Sequence, residues 1–122
     1  MWDATTKIKG NIGENIACEY LRKQGFVIVD RNYYRKWGEL DIVAKTDNMI
    51  HFFEVKSVTN RSHAPEENVH GLKVSKLRKI IGTYLSDKGY GLDATFQFHI
   101  LCVYMNEKTR LASVKWIKNV IL

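Results

Sequence analysis

From Asn11 to Lys23 the apolar residues Ile12, Ile16, Ala17, Tyr20 and Leu21 recur at the spacing of one helical face, and Gly25 follows as a C-terminal cap. The period then shortens. "FVIVDRNYY" (Phe26 to Tyr34) is rich in β-branched and aromatic residues, and "RKWG" supplies a turn after it. "ELDIVAK" and "MIHFFEVKS" continue as two more strands, joined through Thr46, Asp47 and Asn48. Pro65-Glu66-Glu67 suits the first turn of a helix, where proline loses nothing and acids meet the positive dipole end. A second helix is therefore expected from near Pro65, with Val69, Leu72, Leu77, Ile80, Ile81, Tyr84 and Leu85 on one face and "KGYG" as its stop. "ATFQFHILCVYM" (Ala94 to Met105) reads as a long strand, and "LASVKWIKNVIL" as a short last strand and tail. This order predicts an α/β fold in a single domain over residues 1–122, one mixed sheet with a helix on each side.

Two of these strands carry carboxylates where a sheet would favour apolar side chains. If Asp47-Asn48 is a two-residue hairpin turn, Thr46 pairs with Met49, and counting outward puts Asp41 opposite Glu54 and Glu39 opposite Lys56. Opposed carboxylates repel unless one keeps its proton or a cation sits between them. A hard divalent ion, Mg²⁺ or Mn²⁺, would resolve that conflict, and Lys56 on the same face could stabilise charge developing on a phosphate. The competing reading is a solvated Glu54–Lys56 ion pair with Asp41 as an ordinary outward polar residue. Against it, Asp41 lies within "LDIVA" and Glu54 follows "IHFF", surroundings that suggest a buried sheet. Glu14 falls at the edge of the first helix's buried stripe, where a dipole-favoured first-turn glutamate is the alternative.

Charge narrows the partners. Nineteen Lys and Arg against thirteen Asp and Glu leave a net charge of +6, which favours polyanions. Lys73, Lys76 and Lys79 recur every third residue, with Arg78 beside them and Arg35 and Lys36 as possible extensions; the stripe could track phosphates or be an ordinary solvated face. The start lacks a signal-peptide core and no apolar run is long enough for a membrane span, so a cytoplasmic protein without a membrane partner is expected. Cys18 and Cys102 are expected as buried reduced thiols, and the four histidines as structural or solvated. Trp37, at a turn beside the acids, is expected to pack rather than stack on a base.

"KGNIGENIACEYLRKQGFVIVDRNYYRKWGELDIVAK", "FFEVKS", "HAPEENV" and "KVSKLRKIIGTYL" resemble successive blocks of the YraN family of small bacterial proteins, over nearly the whole chain. That family is similar to the PD-(D/E)XK nucleases, notably archaeal Holliday-junction resolvases. The resemblance implies a restriction-endonuclease-like fold and metal-dependent hydrolysis of phosphodiester bonds in structured or branched DNA. It places the catalytic pattern on Asp41, Glu54 and Lys56, matches Glu14 and Glu39 to family acids, and makes the Val55 backbone carbonyl a further candidate metal ligand. Resolvase relatives suggest a homodimer. Leu40 stands where the superfamily name has proline, and Phe98-His99-Ile100 where a Phe-Asp run is expected. A DNA-binding accessory module without turnover is the alternative function.

Overall fold

The computed structural model describes residues 6–59, 73–91 and 93–122, with side chains from residue 11 onward. Helix α1 spans Thr6–Lys23, and strands β1 (Val27–Arg35), β2 (Gly38–Thr46) and β3 (Met49–Thr59) follow. Helix α2 (Val74–Asp87), β4 (Phe96–Asn106) and β5 (Leu111–Ile117) complete the chain order. The expected helix start at Pro65, with Val69 and Leu72, lies outside the described residues.

The strands form one sheet in the order β1-β2-β3-β4-β5. Among the described strands only β3 and β4 pair in parallel, because the chain between them crosses over through α2, whereas every other neighbour is joined by a tight antiparallel connection. Helix α1 ends as expected: Gly25 takes a positive φ of 98°, and the Phe26 N–H donates to the Leu21 carbonyl.

Each helix covers one face of the sheet. Ala17 and Leu21 of α1 pack with Ile42, Phe53, Leu101 and Val103, while Ile80, Ile81 and Tyr84 of α2 pack with Leu40, Val43 and Phe52. This five-stranded mixed sheet between two helices is the restriction-endonuclease-like arrangement expected from the sequence. Cys18 lies in the α1-side core and Cys102 in the α2-side core, both buried and unbridged, so the sheet itself separates the thiols.

Two glycines bring the helices close to the strands that carry the acids. A Cβ on Gly13 of α1 would lie 2.1 Å from Ser57 Oγ and 3.1 Å from Ser57 Cβ, and one on Gly38 would lie 3.1 Å from Ile80 Cβ. His51 and His99 are buried between Phe26, Phe53 and Trp116. The Asn119 N–H donates to His99 Nδ1 at 3.1 Å, so His99 carries its proton on Nε2 and donates to His51 Nδ1 at 2.9 Å. His51 Nε2 in turn donates to Thr46 Oγ1 at 2.9 Å, and both rings are neutral structural groups. His63 and His70 lie outside the described residues.

Candidate active site around Asp41 and Glu54

The hairpin register is the expected one at its turn, Thr46 against Met49, and the backbone ladder runs outward as far as Ile42 against Phe53. Beyond that point a side chain takes over. Asp41 Oδ2 accepts the Val55 backbone N–H at 2.8 Å, so the carboxylate bridges from β2 to β3 where the recorded backbone pairing ends. The next residue on β3 before Val55 is Glu54, the position opposite Asp41 by count.

Ile50, Phe52 and Val58 of β3 face α2, whereas Phe53 and Val55 face α1. By the same alternation Glu54 and Lys56 face α2, with Lys56 Nζ 3.6 Å from Glu54 Oε2. Together with Gly38, Glu39, Lys73, Lys76, Leu77 and Ile80 they line a cavity of about 230 Å³. Glu14, on α1, does not line this cavity; its Oε1 is 3.5 Å from Arg31 Nη2, and its charge is felt by both Asp41 and Glu54.

The electrostatics tie the acids together. Burial pushes the Asp41 carboxyl up to about 8; the Glu54 charge pushes the same way, and the Val55 hydrogen bond only partly opposes them. Burial also raises Glu54, against the lowering charge and hydrogen bond of Lys56. Glu14 and Glu39 add upward pressure on both groups. All four acids singled out in the sequence therefore act on one electrostatic centre. Among the described residues no three His, Cys, Asp or Glu side chains converge as a metal cage. The arrangement is an open pair of carboxylates, a hard-oxygen donor set suited to an ion that keeps several waters.

The basic residues divide. Lys73 and Lys76 line the cavity beside Glu54. Lys79 lies over the Trp37 ring at 5.2 Å, and Trp37 Nε1 donates to Thr83 Oγ1 at 3.0 Å, so the tryptophan is docked on α2. Arg78 turns to the Leu122 carbonyl. Arg35 pairs with Asp87 at 2.9 Å and lies over Tyr33, while Lys36 is exposed at the β1–β2 turn. Sequence reasoning did not single out Asn32 or Gly13. A non-glycine residue able to take positive φ and a glycine inside a helix were their only signals.

Comparison with known proteins gives a consistent answer. A model of the Uncharacterised protein family UPF0102 matches residues 13–103, a span that runs from Gly13 within α1 to Val103 within β4 and includes every acid of the site. A UPF0102 protein of Campylobacter fetus is 40% identical over 108 residues, 88% of each chain. A Campylobacter lari relative is 38% identical over 104 residues, covering 85% of this chain and 90% of its own. One from Helicobacter hepaticus is 44% identical over 90 residues, 70% of this chain and 80% of its own. With the family model covering residues 13–103, well over half of the chain, the chain belongs to the Uncharacterised protein family UPF0102, the YraN family.

Proposed function

We propose that this protein is a metal-dependent nuclease that hydrolyses phosphodiester bonds in structured or branched DNA, with Asp41 and Glu54 holding Mg²⁺ or Mn²⁺. The observation that carries the reading is the Asp41–Glu54 pair: two carboxylates held above their ordinary range by burial, with the Glu54 charge adding to the rise of Asp41 and a lysine 3.6 Å from Glu54. A pair in that condition either retains a proton or takes a cation. A bound divalent ion would polarise a phosphoryl oxygen and lower the pKa of water.

The chain's own residues supply the rest. Asp41 keeps Oδ2 on the Val55 N–H, which fixes the carboxylate's orientation. Glu14 and Glu39 complete the site through water, and the Val55 carbonyl is a further candidate ligand. Lys56, drawn toward Glu54 in the free protein, is released to stabilise charge on the scissile phosphate and to position the attacking water. Lys73 and Lys76, on the cavity wall, hold neighbouring phosphates. The preference for branched DNA is carried by the resemblance to resolvases.

The test is a cleavage panel of duplex, single-stranded, flap and four-way-junction DNA with Mg²⁺ or Mn²⁺. Metal-dependent cutting that Asp41→Asn abolishes is expected. Binding without cutting under every condition would leave the accessory-module reading in its place.

A further inference from the structure

The hydrogen bond from Val55 to Asp41 needs a backbone that lets the carboxylate turn into the plane of the sheet. A regular strand would send Leu40 and Ile42 to one face. Here Leu40 packs in the α2-side core and Ile42 in the α1-side core. The same reversal occurs on β1: Arg31 reaches Asn15 and Glu14 of α1, whereas Tyr33 packs against Tyr84 of α2. Both strands therefore roll over between the pairs Arg31↔Ile42 and Tyr33↔Leu40, at Asn32 and Asp41.

Asn32 has φ 53°, the left-handed region. This irregularity is separate from the β-bulge between Ile28 and Asp30, which shifts the register, because the pairing on either side of Asn32 continues in step. One residue on each strand leaves the alternation at the same level, so faces change and register does not. The Asn32 side chain is exposed, which leaves its backbone shape as what it contributes to the neighbouring strand.

We propose that the left-handed backbone of Asn32 is the positioning device for Asp41, rolling the β1–β2 ladder so that the carboxylate meets the Val55 N–H and faces Glu54. Asn32 is a positioning residue, acting through β2 and not on substrate. This rests on the reading of Asp41 as a site residue, but its test needs neither metal nor DNA. Asparagine and glycine tolerate positive φ, and a β-branched residue does not.

The measurement is NMR of the Val55 amide: its hydrogen-bonded proton shift, its exchange rate, and the scalar coupling across the hydrogen bond to the Asp41 carboxyl carbon. Asn32→Val should lose the coupling and speed Val55 exchange while the amides of β3 and β4 beyond the site keep their protection. Asn32→Gly should retain the wild-type Val55 signals. A folded Asn32→Val protein with an intact Val55–Asp41 coupling would overturn the proposal, as would its loss in Asn32→Gly. Should Asn32→Val not fold, the milder Asn32→Ala is read instead: a weakened coupling and faster Val55 exchange support the proposal, and wild-type values overturn it. A wild type that cuts no DNA would remove the proposed function while leaving this result readable.

Discussion

Asp41 holds the Val55 N–H through Oδ2 at 2.8 Å while its charge is opposed by that of Glu54. One carboxylate thus extends the sheet's hydrogen bonding and is destabilised as an anion. The second property has a direct thermodynamic consequence.

In the unfolded chain Asp41 titrates near the ordinary 3.8, and in the folded metal-free protein near 8. Between those values the folded state holds the extra proton, so the contribution of Asp41 to stability is greatest at the acid end and falls as pH rises toward 8. Urea unfolding of metal-free wild type should show a midpoint that declines from pH 6.5 toward 8, above the interval in which the lowered His99 acts with the opposite sign. Asp41→Asn keeps an acceptor for Val55 without the charge, so its decline should be much shallower; parallel slopes would exclude the coupled pair.

A cation that binds only the folded state stabilises it by about 2.7 kcal/mol at roughly 100 times its dissociation constant. Melting temperature should rise with Mn²⁺ or Mg²⁺ in the wild type and stay flat in Asp41→Asn. Because the metal displaces a proton from the pair, its binding should strengthen as pH rises from 6 toward 8. A metal response that survives in Asp41→Asn would place the ion elsewhere.

Catalysis and binding should separate by residue. Lys56→Ala is expected to cut at least about 10²-fold more slowly, the order seen when one stabilising donor is removed. Lys73→Ala and Lys76→Ala should weaken DNA binding and each reduce the slope of log affinity against log salt by about 1. Arg78→Ala and Arg35→Ala should change that slope least, since these side chains are held by Leu122 and Asp87. Equal slope changes across the four variants, measured by fluorescence anisotropy, would show that the cavity lysines are not the main contacts.

The close approach of α1 to β3 predicts a specific coupling. Gly13→Ala should destabilise by about 1–2 kcal/mol, the usual 1–3 for overpacking offset by up to about 1 from better helix propensity. Ser57 can rotate its hydroxyl away, but its Cβ cannot move without β3. Adding Ser57→Gly should recover most of the loss. A double variant as unstable as the sum of its parts would rule out this contact.

The buried histidines predict the opposite pH trend to Asp41. His99 is lowered to about 4 by burial, with His51 and Lys118 pushing the same way. Below pH 6.5 the unfolded chain takes up a proton that the folded one refuses, so stability falls as pH drops from 6.5 to 4. In the Asp41→Asn background, where the opposing slope is removed, stability should rise with pH over this interval. His99→Gln added to that background should flatten the rise; an unchanged rise would mean that His99 is not its source.

Element order, the hairpin register at Thr46 and Met49, and the helix end at Gly25 were legible in the sequence because period and turn chemistry are local properties. That Glu54 lies near both Asp41 and Lys56 was legible for the same reason: alternation from a known turn places side chains by counting. Counting fails where the strand stops alternating. The roll at Asn32 and Asp41 depends on one left-handed residue, which hydrophobic periodicity does not reveal, and it decides that Asp41 meets Val55 through its side chain. Partners distant in sequence were equally invisible. Glu14 approaches the acids because Gly13 lets α1 settle against Ser57, and His99 became a neutral core group because β3, β4 and the tail enclose it. The basic residues at the start of α2 and along it parted ways for a similar reason. Long, flexible side chains take whichever acceptor or ring the packed fold puts within reach, so only tertiary structure could leave Lys73 and Lys76 on the cavity while turning Lys79 to Trp37 and Arg78 to the chain end.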